Sequence, residues 1–191
     1  MSALEFVSTV RATRTGLTDL LADVEGMTAW ARAHAAELGI GPDFTASEGL
    51  RREVVELRQA VRALFARAVA PGAASDADAH RLPDFAESLD LVNAVALAVP
   101  SAPRLEWPAG EAPRAGTVPG VGATESERIR AVLATSVIEL LAGPRREQIR
   151  VCPAPRCVLY FVKEHARQEW CSVGCGNRAR AARHYRQHRD G

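Results

Sequence analysis

Apolar residues recur at three- and four-residue steps through Leu50, Val54, Leu57, Val61, Leu64, Phe65 and Ala68, which predicts an amphipathic helix over residues 45–70. Thr45 or Ser47 can cap its start, and Pro71-Gly72 ends it. A second helix is predicted over 124–142. Thr124 and Glu127 form a capping box, Ile129, Val132, Leu133, Val137, Leu140 and Leu141 form the apolar face, and Gly143-Pro144 stops it. Met27, Trp30, Ala31 and His34 align over 24–38, with Gly39 as a left-handed stop, and 85–99 reads as a fourth helix before Pro100. The Pro/Gly-rich stretch 101–122 follows, in which 104–107 and 114–118 read as strands of a hairpin turning through 108–113. There is no internal repeat.

The longest apolar run, 91–99, contains Asn93 and falls far short of the roughly 20 residues needed to cross a bilayer. Glu5, Arg11 and Arg14 interrupt the region where a secretory signal would place its apolar stretch, so a cytoplasmic protein is expected. In that compartment cysteines serve as metal ligands or redox groups more often than as disulfides.

Composition changes the picture only when it is divided along the chain. The 191 residues are 47% hydrophobic, which excludes wholesale disorder and leaves room for a real core. The formal net charge of +1 argues against a nucleic-acid binder. Yet residues 1–144 hold 13 Lys+Arg against 19 Asp+Glu (net −6), while 145–191 hold 11 against 4 (net +7). Two domains are expected on this division: a mainly α N-terminal domain with a small β-hairpin over 1–144, and a basic module over 145–191.

All four cysteines lie in the basic module. Cys152 and Cys157 form one close pair, Cys171 and Cys175 another, with thirteen residues between the pairs. Two such pairs are the pattern of a structural zinc site, in which four thiolates close a tetrahedron and leave no position for a catalytic water. A redox pair is the competing reading, although such sites usually carry a single Cys-x-x-Cys. His165 is not needed as a ligand. The β-branched and aromatic run 158–162, a turn over 163–167 and the segment 168–170 suggest a small hairpin between the pairs. A helix is expected after Cys175, ending near Arg189. Knuckle, hairpin and helix in this order make a treble-clef-like finger, and losing a cysteine is expected to unfold the tail and spare the body.

These residues carry a family resemblance. Cys152-x4-Cys157, then Arg167-Gln-Glu-Trp170-Cys171-Ser172, then Cys175-Gly176-Asn177-Arg178 resembles the CGNR zinc finger. That finger usually closes bacterial proteins whose N-terminal part is the ABATE domain. The body fits more loosely, through Phe6-Val7-Ser8-Thr9 and Met27-Thr28-Ala29-Trp30. The chain departs from many relatives at Lys163 and His165 and in the spacing of its second cysteine pair. Neither departure removes a ligand. The resemblance implies stress-linked transcription regulation.

Arg178, Arg180, Arg183, Arg186 and Arg189 punctuate the final helix. At 100° per residue, four of them span about 140° of its circumference and Arg180 widens the arc to about 200°. Little apolar surface remains to bury, so the helix reads as a phosphate or groove contact for DNA. Docking on the acidic body, or on another protein, is the rival reading. Binding zinc through four thiolates lowers the module from +7 to about +5. Arg178 and Arg156 are expected to offset the local charge of the metal site, and Asn177 to cap the helix. One finger makes few phosphate contacts, so a homodimer is a natural route to affinity. No enzyme is expected, because the chain has neither a phosphate-binding glycine loop nor a nucleophile elbow. His184 and His188, spaced i, i+4, lack a third ligand for a second metal.

Overall fold

The computed structural model describes residues 3–13, 16–78, 82–120 and 122–189, without the side chains of Pro119 and Arg189. In chain order the elements are α1 (Ala3–Val7), β1 (Val10–Ala12), β2 (Leu17–Asp19), α2 (Val24–Ala33), α3 (Ala35–Leu38), α4 (Glu48–Ala68), α5 (Phe85–Leu97), β3 (Ser101–Glu106), β4 (Arg114–Pro119), α6 (Glu125–Ala142), β5 (Ile149–Val151), β6 (Tyr160–Val162) and α7 (Val173–Arg189). Two 3-10 turns, Asp76–Asp78 and Pro144–Gln148, lie between them. The strands pair only as antiparallel couples, β1 with β2, β3 with β4 and β5 with β6. No helix among the described residues is long and apolar enough to cross a membrane.

The long helices form where periodicity and caps agree. Ser47 caps α4 by accepting from the Leu50 amide, and Thr124 with Glu127 closes a full capping box on α6. The expected single helix over 24–38 is two pieces, broken at His34, and no residue type in the sequence marks that break. Gly39 does supply the left-handed stop, at φ 65°. The hairpin in the Pro/Gly stretch is present and begins at Ser101 rather than 104.

The core is built from α1, α2, α4, α5 and α6, with Phe6, Leu21, Met27, Leu57, Phe65, Ile129 and Leu133 all but fully buried. It also contains Ile149, Tyr160 and Val162. Charge divides the chain near residue 144, but the body's core continues to Val162. The pairing of the 158–162 strand also differs from expectation. Its partner is Ile149–Val151, ahead of the first cysteine, in the register Ile149↔Val162, so the hairpin brackets the knuckle. Residues 168–170 form no strand.

Strand β6 is buried on both faces. Tyr160 and Val162 enter the body's core, while Phe161 enters a second cluster with Cys152, Ala154, Cys157 and Cys175. This is the two-residue alternation of a strand placed between two cores.

Two arginines on α4, Arg58 and Arg62, are each only 1% exposed. Arg58 grips Asp19 with two parallel bonds of 2.6 Å and donates to Thr9 Oγ1 at 2.8 Å. Arg62 donates to Asp78 Oδ1 at 2.5 Å and to the Val7 carbonyl at 2.8 Å. Tyr160 donates to the other Asp78 oxygen at 2.7 Å, and Ser75 Oγ donates to the Val158 carbonyl at 2.8 Å. Burial first, then the Asp78 bond, pushes the Tyr160 hydroxyl well above its ordinary pKa, so it remains a donor. Through the Arg62, Tyr160 and Ser75 bonds α4, α1 and the finger's hairpin are tied together, while the buried Arg58 Nε has no hydrogen-bond partner among the described residues.

Removing one member of a buried ionic network strands the others. Asp78→Ala is expected to lower stability by about 3–5 kcal/mol in urea titrations of zinc-loaded protein, with zinc content unchanged. Tyr160→Phe, which leaves the Arg62–Asp78 pair intact, should cost about 1–2 kcal/mol.

Candidate metal centre

The first cysteine pair sits on a tight knuckle between β5 and β6. The Cys157 amide donates to the Ala154 carbonyl at 2.9 Å, and the Cys152 amide to the Leu159 carbonyl at 3.0 Å. The turn forces Arg156 to φ 61°, a left-handed conformation that costs a non-glycine residue roughly 1–2 kcal/mol. The second pair flanks the start of α7. Ser172, not Asn177, caps that helix, its Oγ accepting from the Cys175 amide at 3.2 Å.

The four sulfurs lie within 4.8 Å of one another. Cys157 to Cys171 is 3.8 Å, Cys157 to Cys175 is 3.7 Å and Cys171 to Cys175 is 3.4 Å. Zn–S bonds of about 2.3 Å at tetrahedral angles require sulfurs about 3.8 Å apart. All four are free cysteines, so none of these contacts is a disulfide. Three are buried and Cys171 is partly exposed. The donors match a soft, four-coordinate cation, and the arrangement is that of one structural Zn²⁺ with no open position.

Without a cation the cluster tolerates little negative charge. Donation from Cys157, then from Cys171, holds Cys152 as a thiolate, down to about 2. Hydrogen bonding to that same thiolate pushes Cys157 up to about 11 and raises Cys171 further. A divalent ion removes this conflict, because it lets all four sulfurs be anionic together.

The Cys-Gly-Asn-Arg stretch acquires a physical reason at each position. Cys175 is a ligand. A Cβ on Gly176 would stand 3.0 Å from Trp170 Cε3, so the close approach of the indole requires glycine. Asn177 accepts from Arg180 at 2.6 Å, orienting a guanidinium that lies 5.6 Å from the Trp170 ring centre. Arg178 donates to Cys175 Sγ at 3.0 Å, placing positive charge against the thiolates, and this bond raises its own pKa. Arg156 makes no such contact among the described residues.

Of the five arginines expected to touch nucleic acid, the structure therefore engages Arg178 at the metal centre and Arg180 on Trp170. Arg183 and Arg186 are exposed on α7, and the Arg189 side chain lies outside the described residues. His184 and His188 approach to 3.1 Å between ring nitrogens and remain exposed. Among the described residues, α7 forms no ion pair with the acidic body. The buried Arg58 and Arg62 networks escaped sequence reasoning, since their acidic partners lie 39 and 16 residues away.

A mainly helical body continuous with a closed four-cysteine, treble-clef-like finger defines the class: a zinc-finger protein whose metal is structural. Residues 2–144 match the ABATE domain, described as "Putative stress-induced transcription regulator", and residues 148–188 match the CGNR zinc finger. The chain belongs to the ABATE family and carries a CGNR finger. A search of curated proteins returns no match.

Because Cys157 and Cys171 must lose protons to bind, zinc affinity should weaken as pH falls, by about tenfold per unit for each proton displaced. Calorimetry in buffers of different ionisation enthalpy should find at least two protons released per ion. A pH-independent affinity would contradict the assignment. Gly176→Ala should displace Trp170 and lower the melting temperature while one zinc per chain is retained.

Proposed function

We propose that this chain is a DNA-binding transcription regulator. Its zinc centre fixes the start of α7, and the helix lays Arg183 and Arg186 against phosphates. The observation that carries the reading is the exposure of Arg183, His184, Arg186 and His188 on a helix rooted in the metal site. Docking on the chain's own acidic body, net −6 over residues 1–144, would have covered these groups, and they stand exposed. The charge division supplies a positive face of the kind that neutralises phosphates. The family description supports the same reading.

One finger with few phosphate contacts binds weakly, so pairing of two copies through the body completes the proposal. Leu97, Leu105 and Trp107 are large apolar side chains left exposed on α5 and around the β3–β4 hairpin, and they support it. No catalytic step is assigned to the chain.

Anisotropy titrations of zinc-loaded protein with duplex DNA at low salt should show binding that falls steeply with salt. Arg183→Glu with Arg186→Glu should weaken it and flatten the log–log salt slope by about 1.8 or more. Absence of binding to any duplex, or binding unaffected by the charge reversal, would remove the reading and leave a protein-docking finger.

A further inference from the structure

The four zinc-site sulfurs are not equivalent. Cys152 accepts the Cys171 amide at 3.4 Å and is also approached by the Ala154 amide. Cys157 is approached by the Leu159 amide, and Cys175 accepts from Arg178 at 3.0 Å. Each of these N–H groups spreads the charge of a thiolate and occupies a lone pair that would otherwise attack an electrophile. Cys171 has no N–H donor among the described residues. Its one hydrogen-bonding contact outside the cysteines, among the described residues, is the Ser172 hydroxyl at 4.0 Å. It is also the one ligand that is not buried.

Cys171 can be reached. A cleft of about 360 Å³ opens between α1–β1 of the body and the finger, and Ser8, Arg11, Cys171, Cys175 and Arg178 are among its lining residues. It admits a molecule the size of a small hydroperoxide. Cys175 Sγ stands 3.4 Å from Cys171 Sγ, the shortest of the sulfur–sulfur contacts given above.

We propose that Cys171 is an oxidation site for small hydroperoxides, with Cys175 as its resolving partner. The Cys171 thiolate attacks the distal peroxide oxygen. The O–O bond breaks, the leaving oxygen departs as hydroxide or alkoxide, and Cys171 becomes a sulfenic acid. The Cys175 thiolate then attacks the Cys171 sulfur, forming the S–S bond and expelling hydroxide. The pair loses two electrons and the hydroperoxide gains them. Solvent protonates the hydroxide and alkoxide released. Two of the four ligands are then spent, and the metal's hold on the start of α7 is lost. Only the consequence for DNA rests on the regulator reading; the oxidation does not.

Zinc-loaded full-length protein treated with hydrogen peroxide tests the proposal without DNA. Zinc release is followed with a chromogenic chelator, and remaining thiols are alkylated before tryptic mass spectrometry. Trypsin places Cys152, Cys157 and the Cys171–Cys175 pair on three separate peptides, the last being 168–178. The expected first product is peptide 168–178 lighter by two hydrogens, appearing in step with zinc release. Ser8→Phe, which narrows the cleft and removes no ligand, should retain one zinc per chain and slow both signals several-fold. Oxidation spread evenly over the four cysteines, or beginning at Cys152 or Cys157, would overturn the assignment. An unchanged rate in Ser8→Phe would overturn the cleft as the route.

Discussion

A strand of three residues with no solvent face governs how this molecule is put together. Tyr160 and Val162 of β6 lie in the helical core, and Phe161 lies among the zinc-site cysteines. Burying side chains of this size is worth roughly 1.5–3 kcal/mol each. A two-stranded hairpin alone is marginal in water, so β5–β6 derives its stability from the body behind it. The Arg62–Asp78–Tyr160 bonds fix its register, because a slip of one residue would take the Tyr160 hydroxyl out of the network and turn Phe161 toward α4. The hairpin then becomes a rigid base on which the first cysteine pair is already positioned.

Metal and body hold different parts of the finger. The knuckle and the start of α7 meet through sulfur, and α7 buries almost nothing beyond Ala182. A 17-residue helix with so little packing depends on its anchored end. Ser172, Arg178 and the Trp170–Arg180 stack concentrate their contacts in its first two turns, leaving the distal half as an exposed basic surface. Neutralisation of the thiolates and presentation of arginines are thus shared along one helix: Arg178 serves the metal, and Arg183 and Arg186 form no ion pair among the described residues.

Sequence reasoning reached what is local. Periodicity and capping located α4 and α6, Pro100 marked the end of α5, and ligand spacing located the zinc site, because each depends on residues within a few turns of one another. The short elements α1, β1 and β2 carry too few residues for a period to register. The inward course of Arg58 and Arg62 was hidden because an arginine is ordinarily read as solvent-facing, and only long-range partners make its burial tolerable. The partner of β6 was misplaced for the same reason: 163–170 is adjacent in sequence, whereas Ile149–Val151 is adjacent in space. The net charge of +1, taken as a single number, hid an acidic body and a basic finger that emerge once it is divided.

The metal's influence ends inside the finger, between a hairpin held by the body and a knuckle and helix held by zinc. Hydrogen exchange on the full chain, before and after chelation, tests this most directly. Protection should vanish across the knuckle and α7 while the β5–β6 amides and α4 keep theirs. Loss of protection in β5–β6 together with α7, or a profile unchanged by chelation, would contradict it.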